Sequence, residues 1–273
     1  MNATYYKDKV IVITGASSGI GRELAYRLAD QGAWLALVGR DAPRLEAARD
    51  ECLRLGSQNG GKALSIPADV AEQSQCEALI RQTVAAYQRI DVLVNNAGIS
   101  MWANFEDLTS LDMLEQIMRV NYLGSAYCTY YALPYLKQSK GQIVGVSSLA
   151  GKNGIPTRSG YAASKHAMTG FFDSLRIELA PYGVSVTMIY PGFVTTEIRK
   201  RAFAASGEAL EKSPVREAEV MTVEECVQIM LKAMVKRKRE VVMTLRGQAG
   251  LWMKLIAPGL VDQIALRAIK QGK

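Results

Sequence analysis

Short apolar runs rich in β-branched residues alternate with longer amphipathic stretches along most of this chain, and that order constrains its fold more than any other feature. VIVIT at 10–14 precedes a helical pattern over about 19–31, and WLALVG at 34–39 precedes another over 43–55. Residues 63–70 lead into a helix ending near Tyr87, and 91–98 into a long helix over about 111–137. A run at 142–148 is followed by a helix ending near Pro181-Tyr182-Gly183; 184–192 and 241–245 read as the last strands. Strands so continuously apolar belong in a sheet covered on both faces. Repeated β-then-α order implies parallel strands joined by right-handed crossovers. The expectation is an α/β fold, a doubly wound parallel sheet with helices on both faces and a C-terminal helical extension. Ligands of such sheets bind beyond the carboxyl ends of the strands, so the residues just after each strand carry the functional reading.

With 273 residues, 49% of them hydrophobic, and no Pro-, Gly- or Ser-rich linker or repeat, one domain over 1–273 is expected. The four cysteines form no CxxC pair and no metal-ligand spacing, and His166 is the single histidine. No metal is expected, and Ser-His-Asp hydrolysis fits poorly. The N-terminus is polar and reads as carrying no leader, and no run approaches the ~20 apolar residues of a membrane span. A cytoplasmic protein with at most peripheral membrane contact is the expectation. The net charge of +7 suits acidic ligands, acidic partner proteins or anionic membranes. Lys236-Arg237-Lys238-Arg239 reads as a solvated helix end complementing the helix dipole, without the interleaved aromatics of a nucleic-acid surface.

The first strand runs into TGASSGIG at 14–21. Gly15, Gly19 and Gly21 permit a tight turn and close approach of the backbone to a pyrophosphate. The next helix start, with Ser17, Ser18 and Ile20, offers N–H groups and a favourable dipole. After the second strand, the place of an acid that would hold the ribose hydroxyls of NAD is taken by Gly39, then Arg40. A guanidinium suits a ribose 2′-phosphate, with Ser18 and Arg44 assisting, so NADP(H) is preferred over NAD(H). Asp69 and Val70 follow the third strand and bracket an adenine. After the fourth come Asn95, Asn96, Ala97 and Gly98, small residues against the cofactor and amides tying strands together.

GYAASKHA at 160–167 places Tyr161 and Lys165 four apart, on one helix face. An ammonium there stabilises a phenolate and draws its acidity toward neutral pH; a helix start with one exposed lysine is the plain alternative.

TGASSGIG, NNAG, VSS, YAASK and YPGFVTT resemble, in order and spacing, the motifs of the short-chain dehydrogenase/reductase family in its compact form. The resemblance covers about 9–196, roughly 70% of the chain, and residues 132–152 are most similar to the 11-beta-hydroxysteroid dehydrogenase branch. It implies a Rossmann-type sheet and a catalytic tetrad of Asn121, Ser148, Tyr161 and Lys165. Ser148 lies 13 positions before Tyr161, the family's spacing, whereas its neighbour Ser147 would face the other side of a strand. In that family the serine bonds the substrate oxygen and the tyrosine moves the proton. The lysine serves both tyrosine and ribose, and the asparagine bends its helix and holds a water in a relay. Pro191, Gly192, Val194 and Thr196 would hold the carboxamide.

Substrate choice is expected in the segment 197–221 and the loop 99–105, with Met101, Trp102, Leu149 and Phe193 lining an apolar substrate body or serving equally as core. The implied activity is NADP(H)-dependent hydride transfer on an apolar ketone or aldehyde, or a secondary alcohol, by a homodimer or homotetramer. The alternatives are a 3-oxoacyl reductase acting on acyl carrier protein or CoA thioesters, and an NADP-binding redox sensor or scaffold without turnover. The extension over 248–273 reads as two short helices broken at Pro258-Gly259, apolar on one face and basic at Lys254, Arg267, Lys270 and Lys273, with Asp262 its one acid. It would pack across a subunit interface, cap a substrate pocket, or lie on an anionic membrane.

Overall fold

The computed structural model describes residues 5–199, 201–210 and 220–270. Seven parallel strands form one sheet: β1 (Val10–Thr14), β2 (Trp34–Gly39), β3 (Lys62–Pro67), β4 (Val92–Asn95), β5 (Gln142–Val146), β6 (Ser185–Tyr190) and β7 (Glu240–Val242). Their spatial order is β3-β2-β1-β4-β5-β6-β7. The order reverses between β1 and β4, in register from Ile11 opposite Val92 to Ile13 opposite Val94. That switch point opens the crevice in which ligands of such sheets bind.

Alternation along the strands explains why both faces are covered. Ile11 and Ile13, Leu35 and Leu37, and Val92 and Val94 face one core. It is completed by α1 (Gly19–Ala29), α2 (Ala42–Gly56) and α7 (Val223–Val235). Val12, Ala36, Val38 and Leu93 face the other, under α3 (Gln73–Tyr87), α5 (Gly124–Ser139) and α6 (Ser159–Leu179). A period of two splits each apolar strand between two cores. Pro67 ends β3 at the sheet edge, where a missing N–H is tolerated.

The long helix expected over 111–137 is interrupted. It runs as α4 (Asp112–Met118), a π-helical turn at Arg119–Leu123, then α5. Two other boundaries move: β3 stops at Pro67, leaving Asp69 and Val70 in the loop, and β7 covers Glu240–Val242. The C-terminal stretch forms α8 (Leu245–Ile256) and α9 (Pro258–Lys270), separated at Ala257, with Pro258 opening the second helix. No helix among the described residues is long and apolar enough to cross a membrane. The cations after α7 are exposed, yet Arg237 also bonds the carbonyls of Lys140 and Gly183 at two left-handed helix ends.

Candidate active site

A cleft of about 620 Å³ lies along the carboxyl ends of the strands. Its floor is the turn after β1. Gly15 has φ +67°, and a Cβ at Gly21 would lie 2.4 Å from the Gly15 carbonyl oxygen and 2.5 Å from Asn96 Nδ2. Only hydrogen fits there, so the turn presses flat against the β4 loop. Asn96 locks this arrangement, its Nδ2 donating to the carbonyls of Thr14 (2.9 Å) and Gly15 (3.2 Å). Ser18, the N-cap of α1, makes no side-chain cap, so the first-turn N–H groups are left to the cleft. These features fit a pyrophosphate cradle.

At one end the cleft is lined by Arg40, Asp41, Asp69 and Val70. Arg40 Nη1 lies 3.6 Å from Asp69 Oδ2, with 57% of the arginine side chain exposed. The Asp69 backbone is pinned by Gln75 Oε1 (2.8 Å), and its carboxylate caps the Ala71 N–H (3.0 Å).

At the other end Ser148, Tyr161 and Lys165 converge with Pro191 and Gly192. Ser148 Oγ accepts from the Ala150 N–H at 3.2 Å, which leaves its own proton to donate. Ser147 also borders the cleft, but its hydroxyl is engaged, donating to the Lys165 carbonyl (3.3 Å). The Lys165 ammonium is 5.9 Å from the centre of the Tyr161 ring and donates to the Val146 carbonyl at 2.9 Å. Burial pushes it down to about 8, because an enclosed ammonium loses its hydration.

A family model for the short chain dehydrogenases matches residues 9–207. The chain belongs to the short-chain dehydrogenase family. Its members are oxidoreductases, and the relatives are named accordingly. The chain is 43% identical over 190 residues to 11-beta-hydroxysteroid dehydrogenase-like 3 of Arabidopsis thaliana, a match covering 70% of this chain and 60% of that protein. It is 34% identical to the dehydrogenase/reductase SDR family protein 7-like of Dictyostelium discoideum, over 94% of this chain and 80% of the other. A solved alcohol dehydrogenase from the archaeon Thermococcus sibiricus, complexed with 5-hydroxy-NADP, superposes with a TM-score of 0.74 at 26% identity, covering 85% of this chain and 94% of that one.

Within this short-chain dehydrogenase cleft, the structure gathers Gly15, Ser17, Ser18, Gly19, Ile20, Arg40, Asp69, Val70, Ala97, Gly98, Ser148, Tyr161, Lys165, Pro191, Gly192, Phe193, Val194 and Thr196 along its walls. Other expected residues stand behind them. Gly21 acts from beneath, through the close packing just described. Asn95 is buried and donates to Thr129 Oγ1 at 3.0 Å, so it ties β4 to α5 and does not face the cleft. Arg44 also stands outside, its guanidinium held by Glu197 (2.9 Å) and Asp41 (3.3 Å). Asn121 sits in the π-turn, fully buried, accepting from the Ile99 N–H (2.8 Å) and donating to the Ile99 carbonyl (3.0 Å) and Ser164 Oγ (2.9 Å). Its side chain braces the β4 loop and does not line the cleft.

The substrate residues divide likewise. Phe193 lines the cleft, while Met101 is wholly buried and Trp102 stacks beside Phe193 at 6.5 Å. Leu149 lies under α8: a Cβ at Gly247 would meet its Cδ2 at 2.8 Å. In the segment 197–221, Lys200 and residues 211–219 lie outside the described residues. The sequence reading missed Arg158, which lines the cleft beside Tyr161. Its position three residues before Tyr161, at the N-cap of the same helix, was the available clue. Glu197 and Arg201, within the segment 197–221 expected to set substrate choice but not singled out there, also line the cleft. Among the described residues no group of three or more His, Cys, Asp or Glu side chains is placed to hold a metal.

Proposed function

We propose that this chain is an NADP(H)-dependent dehydrogenase/reductase moving hydride between nicotinamide and an apolar ketone, aldehyde or secondary alcohol, with Tyr161 as acid and base. The observation that carries the reading is the convergence of Ser148, Tyr161 and Lys165 beside Pro191-Gly192, at the opposite end of one cleft from Arg40. The match spans only 60% of the length of the first Arabidopsis relative, so the activity rests on these residues.

Bound in the cleft, a nicotinamide supplies or accepts the hydride. The chain's own groups manage the oxygen. Ser148, its oxygen already accepting an N–H, donates its proton to the substrate oxygen and holds it as charge builds. Tyr161 delivers the proton that completes reduction, or removes it in oxidation. Lys165 keeps a positive charge close to the phenol, in a setting from which water is largely excluded. Asn121 keeps the loop at Ile99 against the cleft. Arg40 meets the 2′-phosphate, a reading supported by its place after β2 and by the NADP derivative in the archaeal alcohol dehydrogenase.

A panel of ketones, aldehydes, thioesters and alcohols assayed with NADPH and NADH tests this. NADPH-linked turnover of an apolar carbonyl compound is expected, and Tyr161→Phe should lower it by about 10²–10⁴-fold while cofactor binding persists. Thioester turnover alone would favour a 3-oxoacyl substrate, and tight NADPH binding without turnover a sensor.

The same reading has the protein assembling as a homodimer or homotetramer through α8 and α9. Eight of the fourteen exposed large hydrophobic side chains among the described residues lie on these two helices. That concentration exceeds what a solvated monomer surface needs.

A further inference from the structure

Behind Ser148, one leucine is seated between two glycines from distant elements. Leu149 follows the serine, and its N–H donates to the Pro191 carbonyl at 3.0 Å. On one side of its side chain lies Gly192, where a Cβ would stand 3.7 Å from Leu149 Cδ1 and 3.2 Å from Thr244 Cγ2. On the other lies Gly247, where a Cβ would stand 2.8 Å from Leu149 Cδ2, 3.0 Å from its Cδ1 and 2.8 Å from Thr244 Oγ1. Thr244 is the N-cap of α8 and accepts the Gly247 N–H at 3.0 Å. Further along the same helix, Lys254 Nζ donates to the Lys152 carbonyl at 2.8 Å, so α8 also holds the far end of the loop after Ser148.

Gly247 is the buried residue of α8. Glycine forms helices poorly beside alanine, and Gly247 has no positive φ that would call for it. Space calls for it instead. We infer that Gly247 is a positioning residue for the proposed reaction: its missing side chain lets α8 seat Leu149, and Leu149 fixes the loop that carries Ser148. This rests on Ser148 holding the substrate oxygen. Carbon atoms are comfortable at about 3.5–4.0 Å, so a methyl group at 247 must drive Leu149 away by roughly 0.7 Å. The leucine can yield toward Gly192, or with its own backbone, which carries the serine along. Gly192 and Ser148 both line the cleft, so either movement disturbs its wall. The serine hydroxyl is also oriented by the Ala150 N–H (3.2 Å) of the same loop, and shares its displacement.

The test is an exchange of volume across this contact, read on the panel compound that wild type turns over best. Gly247→Ala adds one methylene and Leu149→Val removes one. Gly247→Ala should lower kcat by roughly ten-fold, since a misplacement of about 1 Å costs up to 10²-fold. Leu149→Val should lower it less, and NADPH affinity from fluorescence titration should stay close to wild type in both. Together they should restore kcat, because volume-conserving exchanges are tolerated best. Gly250→Ala is the control on the same helix: a Cβ there meets nothing within 4 Å, and kcat should not change. Amide hydrogen exchange of residues 148–152, which needs neither cofactor nor substrate, should quicken in each single variant and recover in the pair. A folded Gly247→Ala with wild-type kcat, or a double variant no faster than Gly247→Ala, would overturn the inference and leave the glycine to packing alone. Where Gly247→Ala does not fold, Leu149→Val decides, and unchanged kcat and exchange in it would overturn the inference. Absence of turnover in wild type would instead overturn the functional reading, and the exchange pattern would still report on the contact.

Discussion

Lys165 carries two demands that pull in opposite directions. The proposed mechanism asks for its charge at the phenol, yet its enclosure lowers its pKa from 10.5 to about 8. The unfolded chain keeps this proton up to 10.5 and the folded chain only to about 8, so stability from this group rises with pH across that window. Below it the folded state bears the whole cost of the enclosed ammonium. Lys165→Met should therefore gain most, relative to wild type, below pH 8, and the gap should shrink by about 3 kcal/mol toward pH 10.5. Urea midpoints measured across that range check this; a pH-independent gap would show that the ammonium is not penalised. Arg40 is far more exposed, so its contribution is smaller. Arg40→Asp should weaken NADPH binding by about 1.5–3 kcal/mol and spare NADH, read by fluorescence titration; wild type preferring NADH would refute the assignment. Both residues line the cleft that the sequence expected them to line, Arg40 because it follows β2 and Lys165 because it sits four positions from Tyr161. Arg44 stands outside the cleft lining and pairs with Glu197, a contact across 153 positions that no local sequence pattern reveals.

The elements themselves were legible wherever a continuous apolar run led straight into a turn, as at β1, β2 and β5. The break in the long helix was not visible in periodicity, since the π-turn at Arg119–Leu123 contains neither proline nor glycine; only the family resemblance pointed to a bend at Asn121. The structure supplies the reason. One amide satisfies both backbone groups of Ile99 and reaches Ser164, so three elements meet at a single side chain. Asn121→Leu leaves the part-buried Ile99 N–H and carbonyl without this partner, a loss of about 1–3 kcal/mol. Thermal or urea unfolding measures it, and turnover should fall with it because the loop at Ile99 walls the cleft. A variant as stable as wild type would show that water replaces the amide.

Over the whole molecule, the sheet and its ligand end followed from strand order, but the substrate wall did not. Of four expected side chains only Phe193 reaches the cleft, because Met101 and Leu149 were claimed by core packing and by α8, contacts that no local pattern reveals. Among the described residues, α8 and α9 carry most of the exposed large hydrophobic side chains. Ending the chain after Gly247 should change the assembly state seen in sedimentation, or abolish binding to anionic liposomes, while NADPH binding persists. Unchanged assembly, liposome binding and kinetics together would deny the extension any docking role. The reversal of strand order between β1 and β4 also bears on how the chain is made. The Val10 N–H bonds Asp91 Oδ2 at 2.9 Å across 81 positions. At about 5–20 residues per second, a ribosome needs roughly 4–16 s to supply that partner after β1 emerges. During that interval β2 and β3 are available to pair beside β1, but its other edge stands open, apolar and unpaired, the kind of edge that recruits foreign strands. The seam beside the cleft is thus a vulnerable line of the nascent chain, and it closes only when β4 arrives.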